Sequence, residues 1–312
     1  MPIWLSLLWG KMANMRRACE PPETYVMQLT SKLAQLETTY VEVLAASEIR
    51  NVDPNRYDGG IFLAGAQKWG WGASDDALTV QRMDLLAQLH GLEPRFRLLF
   101  QHQIPEVAKR LDSDFGQLEK WLDRGKRDHS VPPTTEAAQA VLDRTFDDLR
   151  SLLDLLPSDE WKVRLVVDTN ALVDNPDLAI YQPHLGARYL VHLLPVVLRE
   201  LDDHKRGGRT PELREAAKRA DRRLKGLRTK GDVRSGVRVA GDVFVVFEHV
   251  EPRSEGLPSW LDLDVPDDRF VASTLLLQSQ HPGSAFYVAT SDINLQTKLA
   301  AVGLPFLEPP AR

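Results

Sequence analysis

Residues 163–170, VRLVVDTN, place an apolar run directly before an acid. Val163 to Val167 is short and rich in β-branched side chains, so it reads as a buried strand, and Asp168 ends it. The pattern recurs at Phe286-Tyr287-Val288-Ala289, which Asp292 follows. Glu200 and Asp268 lie at or near the starts of stretches that read as helices. In a parallel α/β sheet the carboxyl ends of neighbouring strands converge on one crevice, where such folds hold their ligands. Carboxylates gathered there repel one another unless a cation compensates, and hard divalent cations take oxygen ligands. The arrangement predicts a site that depends on Mg²⁺ or Mn²⁺.

Strands and helices alternate outward from this stretch. Strand 163–167 leads to a helical stretch from about Pro176 to Leu185, then strand 190–194 and a helix opened by Pro195. A helix from Pro211 to about Lys225 follows, with a tail punctuated by Gly226, Gly231 and Gly236. Strand 243–248, a loop over 249–266, helix 267–280, strand 286–290, helix 292–302 and the short strand Pro305-Phe306-Leu307 complete the series. Such alternation predicts an α/β domain over 161–312, a parallel sheet flanked by helices.

Upstream the pattern is helical. Tyr25, Leu29, Leu33, Leu36, Tyr40, Val43 and Leu44 recur near a 3.6-residue period and predict a helix over 24–50. Asn51 to Gly60 reads as a loop, and 61–73 is rich in Gly and Trp. Ser74 offers an N-cap for a helix over 75–90, and further helices are expected at 94–112 and 114–124. After the polar stretch Gly125 to Pro133, Thr134 or Thr135 caps a helix from Glu136 to Leu156. Residues 1–157 are therefore expected to form an all-helical domain, with Pro157-Ser158-Asp159 as its boundary. Covering the groove, self-association and recruitment of a partner all stay open as its role.

The chain has 312 residues, enough for two ordinary domains. Its single cysteine, Cys19, excludes an internal disulfide and fits a reducing compartment. The start, MPIWLSLLWGK, lacks the basic leader of a secretory signal and reads as an N-terminal extension. No apolar run approaches the roughly 20 residues of a membrane span. A cytoplasmic location is the expectation.

The net charge of −5 hides an asymmetry. Residues 1–160 carry 18 Lys/Arg against 24 Asp/Glu, whereas 161–312 carry 21 against 20. Lys205 to Arg238 holds 13 basic residues and only Glu212, Glu215, Asp221 and Asp232 as acids. Local clustering of cations, rather than total charge, makes an electrostatic footprint for nucleic acid.

Each acid has an ordinary reading when taken singly. Asp168 could terminate its strand or cap the next helix, Glu200 could be a solvated helix residue with Asp202 and Asp203 as competitors, and Asp292 could be a cap with Ser291 as an alternative. One of Asp267 and Asp268 is expected to be an N-cap, and the two compete for one place. Taken together they lie at strand-to-helix junctions or first helical turns of one domain, and that placement favours a site.

The blocks VVDTNALVD, PVVLRELDDHK, DDRFVASTLL and VATSDINLQTKLAAVGLP resemble the four signature blocks of the PIN domain, a metal-dependent nuclease fold, over about 161–308 and in the right order. The resemblance implies Asp168, Glu200, Asp268 and Asp292 as catalytic and metal-binding acids, with Asn170 and Thr290 or Ser291 as supporting polar positions. It implies Mg²⁺ or Mn²⁺ as cofactor, one ion or two, and products with a 5′-phosphate and a 3′-hydroxyl. Two cations about 4 Å apart can activate water and neutralise the leaving oxygen, and one ion with a second recruited by substrate is a variant. The long basic insertion departs from the compact toxin ribonucleases of that family and is closer to larger subgroups with an extended helical arch.

In that insertion Arg214, Lys218 and Arg222, and again Arg219 and Arg223, follow i,i+4 spacing and line one broad face of the helix. Beside an acidic site this face, with Lys205, Arg206 and Arg209, reads as a surface that tracks phosphates. Arg206-Gly207-Gly208-Arg209 is the loop expected to order on substrate. Other chemistry finds no foothold: the eight histidines show no metal-ligand spacing, and YDGGIFLAGAQKWGWG follows no strand that would make it a phosphate loop. Trp69 and Trp71 are expected to pack rather than stack on bases. The sequence therefore predicts a metal-dependent nuclease acting on RNA ahead of DNA, with a homodimer open and no membrane. The alternative is a catalytically silent PIN-fold module that binds nucleic acid or protein.

Overall fold

The computed structural model describes residues 22–52, 68–100, 104–125 and 130–310. The apolar start, Cys19, the Asp58-Gly59-Gly60 turn and the glycines before Lys68 lie outside these residues. The chain divides into two compact units. Of the described residues, one unit takes those within Val26–Ser158 and His249–Gly283, and the other takes those within Asp159–Glu248 and from Ser284 on, with the few before Val26.

The first unit is built on helices. Helix α1 (Tyr25–Ala45) carries the stripe read from the sequence, and Leu29, Leu33, Leu36, Tyr40, Val43 and Leu44 are all buried. Each fully buried Leu contributes about 1.5–3 kcal/mol relative to exposure. Strands β1 (Ile49–Asn51) and β2 (Trp69–Trp71) form a short antiparallel pair that interrupts the helices. Helix α2 (Asp76–Leu99) begins at Asp75, whose carboxylate accepts from the Leu78 N–H at 2.8 Å. The carboxylate takes the cap expected of Ser74, because it is the stronger acceptor and sits beside the first turn.

Two helices stand where three were expected between 75 and 124. Helix α2 runs through Pro94, whose missing N–H leaves the carbonyl of exposed His90 to solvent. Helix α3 (Pro105–Asp123) starts with proline at its first position, where no N–H is needed. Its stripe of Val107, Leu111, Phe115, Leu118 and Trp121 continues unbroken past Asp112. Thr134 caps α4 (Thr135–Leu153) by accepting from the Ala137 N–H at 3.2 Å.

The second unit is the α/β part. Along the chain it runs β3 (Val163–Val167), α5 (Thr169–Asp174), α6 (Gln182–Leu185), β4 (Arg188–Leu193), α7 (Pro195–Gly207), α8 (Pro211–Arg228), β5 (Val237–Ala240) and β6 (Asp242–Phe247). Helix α9 (Pro266–Gln280) falls in the helical unit, where it packs on α2. Strand β7 (Ala285–Ala289), helix α10 (Ile293–Val302) and strand β8 (Phe306–Leu307) complete the α/β unit.

The sheet has six strands in the order β5-β6-β4-β3-β7-β8, parallel throughout except for the antiparallel edge pair β5/β6. Every residue of β3 is buried, as expected of a central strand with parallel neighbours on both sides. The chain leaves β3 toward β4 and β6 and returns on the opposite side as β7, so the β3/β7 boundary is the switch point of the sheet. Strand β5 was not foreseen, although Val237 and Val239 are buried and Arg238 and Ala240 exposed. Glycine punctuation and the surrounding cations mask that short alternation. Among the described residues no helix is long and apolar enough to cross a membrane.

Candidate active site

The β3/β7 ladder continues one residue beyond β3, because the Asp168 N–H donates to the Ala289 carbonyl at 3.0 Å. Asp168 stands at the N-cap position of α5 but makes no capping hydrogen bond with its side chain. Its Oδ2 instead accepts from the Thr290 hydroxyl at 3.0 Å. Thr290 is fully buried, and its Oγ1 in turn accepts from the Asp292 N–H at 3.1 Å. A threonine hydroxyl can donate once and accept twice, so one side chain ties the two strand-end acids together.

Asp292 caps α10 through Oδ1, which accepts from the N–H groups of Asn294 at 2.8 Å and Leu295 at 3.2 Å. Glu200 lies in the second turn of α7 rather than at its start, because Pro195 holds the first position. Val196, Val197 and Leu201 are buried, so Glu200 is presented half-buried toward α5. Its Oε2 accepts from the Thr169 hydroxyl at 2.5 Å. Thr169, which the sequence reading did not single out, thus touches one of the expected acids. A buried hydroxyl immediately after a strand-ending acid was the available signal.

Burial dominates the electrostatics. Asp168 is only 7% exposed, and desolvation pushes its carboxyl up to about 6. The hydrogen bonds from Thr290 and from the Thr169 backbone act against this rise, while the charges of Glu200 and Asp292 add to it. The phenol of fully buried Tyr181 is also raised, first by burial and then by the charges of Asp168 and Asp174. Three carboxylates therefore share one negative field, and Asp168 sits deepest in it.

The remaining expected positions divide. Asn170 and Ser291 are exposed, so Thr290 is the one of the Thr290/Ser291 pair whose hydroxyl reaches Asp168. Asp268 belongs to the helical unit, on the first turn of α9. The cap of that helix is Val265, followed by Pro266, so neither Asp267 nor Asp268 serves as its N-cap. Asp268 is 6% exposed and accepts from the Asp262 N–H at 2.9 Å, whereas Asp267 is half-buried. Acids in a first helical turn are favoured by the helix dipole. Among the described residues no group of three or more His, Cys, Asp or Glu side chains could hold a metal ion by itself.

Sheet order, the strand-end acids and the helices that carry them now stand together. Residues 165–308 match the family model of the PIN domain. No curated protein matches the chain. The PIN domain is a nuclease-type fold, and PIN domains generally use divalent metals. The three acids Asp168, Glu200 and Asp292 lie within this PIN domain, at the carboxyl end of its parallel sheet.

The basic insertion of the PIN domain is helical. Helix α8 packs on α5 and α7, the two helices that carry Thr169 and Glu200, through buried Ala217, Ala220, Leu224 and Leu227. Thr210 caps it. Its cations are not equivalent. Lys205, on α7, is held between Asp202 at 2.5 Å and Asp221 at 2.9 Å and fastens α7 to α8. Arg214 donates to the Gly208 carbonyl at 2.6 Å, and Lys218 pairs with Glu215 at 2.7 Å. Arg206, Arg209, Arg219, Arg222 and Arg223 are exposed, and Arg223 stands 3.9 Å from Asp177 just beyond α5. Arg206 ends inside α7 and Arg209 precedes α8, so the expected loop shrinks to Gly208-Arg209-Thr210 between two helices.

Proposed function

We propose that residues 161–312 form a divalent-metal-dependent nuclease that hydrolyses phosphodiester bonds, acting on RNA ahead of DNA, and that residues 1–157 are a separate helical domain. The observation behind this reading is the buried Asp168 carboxylate, held by Thr290 beside Glu200 and Asp292 at the switch point of a parallel sheet. An uncompensated negative field there would repel a phosphate, so a cation is required for such a substrate to approach.

The donor set fits Mg²⁺ or Mn²⁺ by chemistry, since all three side chains offer hard carboxylate oxygens. Mg²⁺ keeps several of its waters, so few direct protein ligands suffice. Asp168 and Asp292 would hold the principal ion, with Glu200 holding a second ion or a water. When bound, the metal supplies a polarised water and neutralises charge on the scissile phosphate.

The protein's own side chains do the positioning. Thr290 and Thr169 each donate to one oxygen of an acid, which fixes the orientation of Asp168 and Glu200. Above about pH 6 Asp168 is ionised and able to bind a cation; below it the bound proton competes. Exposed Arg219, Arg222 and Arg223 hold the phosphate backbone without reading sequence, so binding is strongly salt-dependent. Arg206 and Arg209 extend that surface. Asp268 is the fourth acid by resemblance. Products carry a 5′-phosphate and a 3′-hydroxyl, and the setting is cytoplasmic.

The test is cleavage of a mixed RNA and DNA panel with Mg²⁺ and Mn²⁺ by wild type and by Asp168→Asn. Metal-dependent cleavage lost in the variant, with folding intact, is the expected result. Cleavage retained by Asp168→Asn sinks the assignment. Binding of RNA without cleavage under any metal favours a silent PIN-fold module instead.

A further inference from the structure

A cavity of about 610 Å³ lies within the helical unit, where β2, the start of α2 and the end of α3 meet. Its walls include Trp71, Ser74, Thr79, Arg82, Asp123 and Arg124. That volume is in the range of pockets that take nucleotide-sized ligands.

The two arginines set its character. Arg82 donates to the Leu122 carbonyl through Nε at 2.9 Å and Nη2 at 2.5 Å, and to the Asp123 carbonyl at 3.2 Å. Arg124 donates to Ser47 and lies over the Trp71 ring, 4.8 Å from its centre. Both guanidiniums also donate to the Ser74 hydroxyl, Arg82 at 3.0 Å and Arg124 at 2.8 Å. Among the described residues neither makes a hydrogen bond to a carboxylate. Two cations thus converge on one hydroxyl without a hydrogen-bonded counter-ion. Burial and the charge of Arg82 lower the Arg124 guanidinium to about 10.

Two buried donors beside the cavity have no acceptor. Arg124 Nε and Trp71 Nε1 are both buried and both lack a hydrogen-bond partner. An unsatisfied buried donor is costly, and more so when it is charged. Ser74, already accepting from two arginines, has its own proton left to donate. Arg124 also adopts φ 55°, a left-handed conformation that residues other than Gly and Asn adopt at a cost, although Gly125 stands next to it. The chain places the guanidinium rather than the glycine at this turn.

We propose that this cavity is a binding site for a phosphate monoester carried by a nucleotide, with Arg82 and Arg124 as its charge partners and Ser74 as a neutral donor. A dianionic phosphate offers three acceptor oxygens to paired guanidiniums, and its charge exceeds that of Asp123, the one carboxylate named in the wall. The bearer is either a free nucleotide or the 5′ end of a strand. The proposal does not rest on nuclease activity.

The experiment is calorimetric titration of the full-length protein, without divalent metal, at moderate salt. Adenosine 5′-monophosphate and a 5′-phosphorylated dinucleotide are the probes, with adenosine and the 5′-hydroxyl dinucleotide as controls. Saturable binding of either phosphorylated probe, absent from its control, is expected. Binding of the monophosphate alone assigns a free nucleotide, and binding of the dinucleotide assigns a strand end. Arg124→Gln should weaken that binding at least about tenfold. Arg82→Gln should do the same, and it serves if Arg124→Gln does not fold. No binding of either phosphorylated probe by folded wild type overturns the proposal, as does affinity unchanged in a folded arginine variant.

Discussion

The Thr290 hydroxyl donates to Asp168 Oδ2 while accepting from the Asp292 N–H, so two acids of the PIN domain are positioned by one buried threonine. Its hydrogen bond lowers the Asp168 carboxyl, against the larger upward effect of burial. Replacing Thr290 with Val removes the bond and keeps the volume. The acid limb of the pH–rate profile should then move upward from about 6, the wild-type position of Asp168. Cleavage at pH 6 should fall about tenfold, and by less at pH 8. A profile superimposable on wild type would remove Thr290 from the site.

Asp168 also makes a statement about stability. Its folded carboxyl is raised from 3.8 to about 6, so the folded chain favours the protonated form. The penalty is absent below the unfolded value and is complete above the folded one, reaching about 3 kcal/mol at most. Asp168→Asn should therefore raise the melting temperature at pH 8, with the gain shrinking as pH falls toward 4. Adding Mg²⁺ should raise the melting temperature of wild type more than that of the variant. Thermal scans across pH, with and without metal, test both points.

Arg219 and Arg223 are exposed on α8, which packs on α5, and Arg223 stands near Asp177. Reversing both to Glu should weaken RNA binding and flatten its salt dependence, by about 0.7 in the log–log slope per lost phosphate contact. Lys205→Met should loosen the junction of α7 and α8 and leave the slope nearly intact, because its ammonium is already engaged by Asp202 and Asp221. Filter binding at several salt concentrations distinguishes the two. An unchanged slope in the double reversal would make α8 a solvated face.

A second buried polar group joins β3 to β4. Arg164 donates to His192 Nε2 at 3.0 Å, to Asp159 at 3.0 Å and to Ser284 at 2.9 Å, and His192 Nδ1 meets Glu248 at 2.8 Å. Nε2 must accept from the arginine, so the imidazole is neutral with its proton on Nδ1. Burial lowers the His192 value, so its stabilising share is present above the unfolded value of about 6.5 and is lost as pH falls below it. His192→Gln keeps a donor and an acceptor without titrating. In denaturant titrations its stability should be flatter than wild type below pH 6.5.

Much of the fold was legible because its elements carry their own periods. The β3 and β7 runs, the α1 stripe and the Pro195 and Pro211 helix starts all stand within a residue or two of their expected places. Breaks were harder to read. Pro94 reads as a stop, yet the helix passes through it because a carbonyl on its exposed side can bond water. The acids at strand ends were visible for the same reason as the strands. Their hydroxyl partners were less so, since Thr169 and Thr290 gain meaning only when β3, β7 and α7 are brought side by side. The arginine cavity had no sequence signature, because Arg82 and Arg124 are far apart in the chain and each reads as an ordinary helix cation.

The two outermost strands give the sheet a further property. At one side β5 is short, carries Arg238 outward and is kinked by a register shift between Arg238 and Ala240. At the other, β8 offers only Phe306 and Leu307 before Pro309 and Pro310, which have no N–H to donate. Charge, a bulge and proline are the devices that stop a neighbouring chain from adding itself as the next strand. The hydrophobic sheet that carries the acids is thereby protected against edge-to-edge aggregation, and high protein concentration should not drive it toward fibrils.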